Sequence, residues 1–251
     1  MPPAASPLPA AIPAHTTASR YDRLDALRGL ALVWMAVFHF CFDLATFRLI
    51  DANFYADPLW TTQRTAILSL FLLCAGAGQA VAAAQQQSWP RFWRRWAQIA
   101  GCALLVSAGS ALMFPRSWIS FGVLHGMALM LIAARLLAPL RGWLWPLGLA
   151  VVLLPQWVAH PVFDSRWSNW VGLVTHKPIT EDYVPLFPWL GVMLWGLAAT
   201  QALLARRPGW LTGALPRPAT PLAVLGRWSL SFYMVHQPVL IGALMLALQL
   251  R

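Results

Sequence analysis

Charge is scarce in this sequence. Only 10% of its 251 residues are Asp, Glu, Lys or Arg, against roughly a quarter in soluble domains. With 59% hydrophobic residues, too little polar surface is left to face water on all sides, which excludes a soluble domain. Lysine is nearly missing: of eighteen cations, Lys177 alone is not arginine. The three cysteines, Cys41, Cys74 and Cys102, sit in apolar runs without CxxC or Cys/His spacing, so neither a disulfide framework nor a zinc site has support. There is no internal repeat, which removes the usual sign of an inverted-repeat transporter. The first nineteen residues, rich in Pro and Ala, have no basic n-region and no continuous apolar h-region. They read as a disordered cytoplasmic tail (1–19) rather than a signal peptide.

What is present are long apolar runs. Crossing a ~30 Å hydrocarbon layer takes about 20 helical residues, and runs of that kind lie near 26–47, 64–84, 97–114, 118–138, 142–159, 185–205 and 222–248. They predict an all-α, polytopic integral membrane bundle of about seven transmembrane helices filling 20–251, the Pro-flanked fifth being the one expected to be short or re-entrant. Fifteen Trp and twelve Phe suit bundle cores and headgroup belts. The net charge of +10 does not point to nucleic acid, because the arginines punctuate apolar runs instead of forming one solvated face.

Short cytoplasmic loops are enriched in Lys and Arg. With the N-terminus inside, twelve of the eighteen cations fall on the cytoplasmic side, and Asp51, Asp57, Asp164, Glu181 and Asp182 fall outside. The expected topology is N-in/C-out. The longest connection, about 160–184, then lies outside. Its mixture of Trp167, Trp170, His176, Lys177, Glu181, Asp182 and Tyr183 suits either carbohydrate binding or anchoring at the interface.

Ionisable groups inside a span are costly and usually face the bundle interior or a wet cavity. The first run carries Asp25, Arg28, His39 and Asp43. At 100° per residue, with Arg28 at zero, His39 falls at about 20° and both aspartates at about 60°, so all four share one stripe. His39 and Asp43 are an i, i+4 pair. A carboxylate holding one imidazole nitrogen would leave the other as a general base, although such a pair can also serve only to pin helices together. Two further runs carry His125 and His236. At ~1.5 Å per residue, His39 and His236 lie about 18 and 21 Å from the cytoplasmic end and His125 about 12 Å from the outer end, so the three occupy one layer. Three histidines could hold a metal, but no further ligand spacing supports one.

The opening RxDxLRGLALxWMxxFHF (23–40), WISFGVLH (118–125), DYVPLFPWLG (182–191) and LGRWSLSFYMVHQP (225–238) together resemble bacterial relatives of the catalytic domain of heparan-alpha-glucosaminide N-acetyltransferase, within a broader group of transmembrane acyltransferases. The resemblance implies transfer of an acetyl or other short acyl group from cytoplasmic acyl-CoA to an extracytoplasmic sugar or glycan, in the bacterial inner membrane. By this resemblance His39 and Asp43 are the catalytic pair. Arg28, Arg91, Arg94, Arg95 and Arg227 are candidates for the phosphates of CoA. Arg28, His125, His236, Asp182, Tyr183 and Trp189 are candidates for binding substrate. The expected partners are the lipid bilayer, acyl-CoA and the glycan acceptor, with a homodimer compatible and with neither metal nor nucleic acid. The competing expectation is a proton-coupled transporter of a small anionic or sugar substrate, with the same histidines and Asp43 as a relay.

Overall fold

The computed structural model describes residues 21–250; the predicted tail 1–19 lies outside the described residues. Nine α-helices are present among them: α1 (Asp22–Thr46), α2 (Pro58–Ala84), α3 (Trp89–Met113), α4 (Val123–Leu137), α5 (Leu144–Leu153), α6 (Leu186–Arg206), α7 (Pro208–Thr212), α8 (Thr220–Arg227) and α9 (Ser229–Gln249). Proline marks several starts, at Pro58, Pro90, Pro208 and Pro221. In a first turn its missing N–H costs nothing. Asp57 accepts from the Leu59 N–H at 2.8 Å, so α2 begins earlier than the apolar run that announces it.

Among the described residues, six helical stretches are long and apolar enough to cross a membrane, one fewer than the sequence runs suggest. The difference lies in the fourth and fifth runs. They are joined through a 3-10 turn, Ala138–Trp143, in which Arg141 leaves the helical path (φ 46°, ψ −112°). The α5 segment has 10 residues, about 15 Å of helix, which falls short of a crossing by itself. It packs antiparallel to α6, with Trp195 donating from Nε1 to the Trp145 carbonyl at 3.2 Å. The seventh run likewise divides at Trp228 into α8 and α9.

The core is built from α2, α4 and α6, where Leu72, Met130, Met193, Leu194 and Leu197 are fully buried. Large apolar side chains such as Leu104 and Leu112 point outward, as a surface solvated by lipid requires. Close crossings rest on small residues. A Cβ on Gly226 of α8 would stand 1.8 Å from the Asp25 carbonyl oxygen, and one on Gly29 of α1 would stand 1.9 Å from that of Leu222. Gly226→Val should therefore force α8 off α1 and lower stability by about 1–3 kcal/mol or more. A thermal melt in detergent will read that as a lower Tm, and an unchanged Tm would refute the close crossing.

Two faces of the bundle can be told apart. On the first, called here the loop face, the connection 154–185 lies against the α3–α4 junction. The Glu181 N–H reaches the Ser117 carbonyl at 2.9 Å, Phe121 and Tyr183 form a parallel bridge, and Asp182 accepts from the Val123 N–H at 2.7 Å. On the other, called the arginine face, lie the start of α1, the α2–α3 junction, α7 and α8. Arg135 at the end of α4 donates to the Gln87 carbonyl there.

Candidate active site

The first helix delivers its polar stripe to a single large cavity of about 1640 Å³. At the arginine face this cavity is lined by Asp25, Arg28, Gln87, Arg95 and Arg227, at mid-depth by His39, Asp43, Tyr233, His236 and Gln237, and toward the loop face by Tyr55, Arg64, Lys177 and Asp182. It thus joins the two faces past one group of polar side chains. That group comes from two helices whose polar residues must meet each other, because lipid offers no partner.

His39 and Asp43 do not bond directly, as the i, i+4 spacing suggests. Gln237 of α9 stands between them. Its Oε1 accepts from His39 Nδ1 at 2.9 Å, and its Nε2 donates to Asp43 Oδ1 at 2.7 Å. The carboxylate accepts, so the amide turns its NH2 toward Asp43 and its oxygen toward the imidazole. That oxygen can only accept, which fixes the proton of His39 on Nδ1 and leaves the Nε2 lone pair free. His236 adds a second contact. Its Nδ1–H donates to the Tyr233 carbonyl at 2.7 Å, so its Nε2 carries a lone pair, 3.1 Å from His39 Nδ1. One N–H of His39 therefore faces two acceptors. Asp43 is only 4% exposed, and its Oδ2 has no hydrogen-bond partner among the described residues.

The family model for heparan-alpha-glucosaminide N-acetyltransferase, catalytic, matches residues 20–238. The chain belongs to that family. Its matched region ends at Pro238, so it takes in the whole network of His39, Asp43, His236 and Gln237, while the remainder of α9 lies beyond it. No curated protein and no solved structure matches the chain.

In this member of the acetyltransferase family the predicted residues divide clearly. Arg28 lines the cavity but is paired, donating to Asp25 at 2.9 Å. Arg227 donates to Asp22 at 2.9 Å and lies 3.9 Å from Asp25. Arg95 lines the same end and, among the described residues, bonds the neighbouring Gln98 side chain at 3.0 Å. Arg91 opens onto an adjoining cleft of about 390 Å³ that shares Asp25, Arg28 and Gln87 with the main cavity. Arg94, on the exposed side of α3, lines neither.

His125 does not join the other two histidines. Its Nδ1 accepts from the Gly122 N–H at 3.3 Å and its Nε2 meets Ser107 Oγ at 3.1 Å, so both nitrogens are occupied, one in capping the start of α4 and the other in tying α4 to α3. Asp182 lines the cavity while holding the first turn of α4. A Cβ on Gly122 would lie 2.3 Å from its Oδ2, which is why a glycine precedes that helix. Burial pushes the Asp182 carboxyl above the usual carboxylate range, against the pull of the Val123 N–H and of Lys177. Tyr183 donates to the Asn169 carbonyl at 2.7 Å, and burial raises its phenol to about 12. Trp189 of α6 lines the cavity from the core side.

Gln237 is the residue that the sequence reading overlooked. Its signal was the HQP triplet in the last run, a polar amide beside a histidine in an otherwise apolar helix. Arg64, counted in the sequence only among the cations outside, and Lys177, noted there as part of the long mixed loop, also line the cavity.

Proposed function

We propose that this protein transfers an acetyl or other short acyl group from acyl-CoA, entering at the arginine face, to a sugar amine or hydroxyl entering at the loop face, with His39 as the general base. The observation that carries this reading is the single cavity that passes the His39–Gln237–Asp43 network between two polar ends. By the distribution of arginines the arginine face is cytoplasmic and the N-terminus is inside, in a bacterial inner membrane. The family does not favour the transporter alternative.

The arginine end suits a nucleotide thioester. Among the described residues Arg95 has no acidic partner, which suits it to meet a phosphate, with Arg28 and Arg227 lining the same end. The side-chain oxygen of Gln79, buried and without a hydrogen-bond partner among the described residues, also belongs to the cavity lining and matches an amide N–H of a pantetheine arm. In the reaction, His39 Nε2 takes the proton of the acceptor as its nitrogen or oxygen attacks the thioester carbonyl. The new bond to carbon forms, the carbon–sulfur bond breaks, and the departing thiolate takes the proton. Protonation at Nε2 makes Nδ1–H more acidic, and His236 Nε2, at 3.1 Å, shares that proton, spreading the charge over two rings.

The test is acceptor-dependent release of free CoA thiol by the purified protein in lipid nanodiscs, given acetyl-CoA and glucosamine-type acceptors. Arg95→Gln should raise KM for acetyl-CoA about tenfold, the loss of one charge-assisted contact, with kcat nearly unchanged. Absence of acceptor-dependent thiol release with every acyl chain tried would overturn the reading.

A further inference from the structure

The cavity has a third opening, in its side. In the half toward the loop face its wall is formed by α3 and α9, and neither helix closes it. Gly109 of α3 and Gly242 of α9 both line the cavity, and a Cβ on either would meet no atom within 4 Å. Leu105, Met113 and Met245 line it too, yet are 65%, 61% and 48% exposed. A side chain that borders an interior cavity and is also largely open marks a gap to the outside. His236 is the one buried residue of α9, so beyond Pro238 this helix stands away from the bundle. In a bilayer the gap faces hydrocarbon. Water or a free sugar has no reason to use an apolar side slot, whereas a hydrocarbon chain does.

At the loop-face end of the same cavity stand two cations. Arg64 of α2 forms no hydrogen bond or ion pair among the described residues, and Lys177 contacts only the Tyr55 ring, with its ammonium 6.0 Å from the centroid. Burial, and then the like charge of Arg64, hold the Lys177 ammonium below its usual value, with Asp182 acting in the opposite sense. Two cations set toward one cavity repel each other unless an anion lies between them. The nearby carboxylates offset that repulsion only in part: Asp182 acts on both cations while it accepts from the Val123 N–H, and Glu181 accepts from Ser117.

Resting on the acyltransfer reading above, we infer that the acceptor is membrane-borne: a sugar joined through phosphate to a long hydrocarbon chain. The chain lies in the slot between α3 and α9, the phosphate meets Arg64 and Lys177, and the sugar reaches His39. A lipid-linked acceptor also explains why the site sits at mid-depth with an open side, since its substrate never leaves the bilayer.

The experiment measures retention of tritiated farnesyl-phosphate-linked glucosamine by immobilised protein in phosphatidylcholine nanodiscs, without acyl donor. Octyl glucosaminide, which has a chain and no phosphate, and glucosamine 1-phosphate, which has a phosphate and no chain, serve as competitors. The expected result is saturable retention that either competitor displaces only at about a hundredfold or greater excess. Arg64→Gln and Lys177→Gln should each weaken retention about tenfold. Gly242→Trp and Gly109→Trp, which fill the slot, should weaken it at least as much while leaving acetyl-CoA affinity unchanged, and that unchanged affinity also certifies folding. Non-saturable retention, as in a gap filled by any lipid, overturns the inference. So does equal displacement by octyl glucosaminide, or indifference to both tryptophans. Retention is read without thiol release, so failure here leaves the transfer assay to decide the acyltransferase reading independently.

Discussion

With alanine at position 39, acceptor-dependent acetyl transfer is expected to fall by about 10²–10⁴-fold in kcat, the range general-base removal commonly gives, while KM for acetyl-CoA changes by less than about twofold. The reason is positional. Asp43 is engaged with Gln237, and the lone pair of His236 Nε2 is turned to His39 Nδ1, so the free Nε2 of His39 is the lone pair left to take the acceptor's proton. His39→Gln separates chemistry from folding, because a glutamine there can still bond to Gln237 but cannot accept and release a proton. Both variants should elute as monodisperse species and bind acetyl-CoA as wild type does. A His39→Gln protein that retains more than about a tenth of the wild-type kcat would remove His39 from the base's role. Acid-quenched protein that has seen labelled acetyl-CoA adds a second readout: label on His39 would make the same nitrogen a nucleophile, and its absence leaves proton removal alone.

How much of this site the sequence could show depends on which coordinate of a residue its position in a helix encodes. The 100° rule placed Asp25, Arg28, His39 and Asp43 on one stripe, and all four line the cavity, because azimuth within a single helix is fixed by backbone geometry. Depth alone was enough to align His39, His125 and His236, but depth says nothing of the direction in which each helix turns its face. His125 is turned to Ser107 of α3 and is used up there. Gln237 was missed because a search for intramembrane charge passes over a neutral amide, even though burial makes an amide as much in need of partners as a carboxylate. The helical membrane fold followed from composition. The prolines flanking the fifth run marked it as short, as α5 is, but the break at Arg141 and the division at Trp228 did not follow, because apolar run length cannot distinguish a span from a helix that stops and turns within the same apolar stretch.

The other large effect is expected at Asp43, and it tests tautomer control rather than proton transfer itself. An ionised Asp43 can only accept, so Gln237 must present its NH2 to Asp43 and its oxygen to His39, which holds the proton on Nδ1 and frees Nε2. Asp43→Asn removes that instruction. An asparagine can offer its own NH2 to Gln237, the glutamine amide then turns over, and its NH2 faces His39 Nδ1, shifting the proton toward Nε2 against the acceptor that His236 Nε2 still offers. The base then points its proton, not its lone pair, at the acceptor. We expect kcat to fall by about 10²–10³-fold, the order seen when an imidazole is held in the wrong tautomer. Stability should move the other way or not at all, since Oδ2 of Asp43 is buried without a partner and a neutral amide costs less to bury than a half-satisfied carboxylate. Gln237→Met, which breaks both bonds, should lower kcat less, because His236 Nε2 still accepts from His39 Nδ1 and keeps the Nε2 lone pair free. The ¹⁵N shifts of the His39 ring in the two variants distinguish the cases: a gain of protonated Nε2 in Asp43→Asn, protonated Nδ1 retained in Gln237→Met. An Asp43→Asn protein with wild-type kcat, or one inactive only because its Tm has collapsed, would mean that Asp43 pins α1 to α9 and does not set the state of the base.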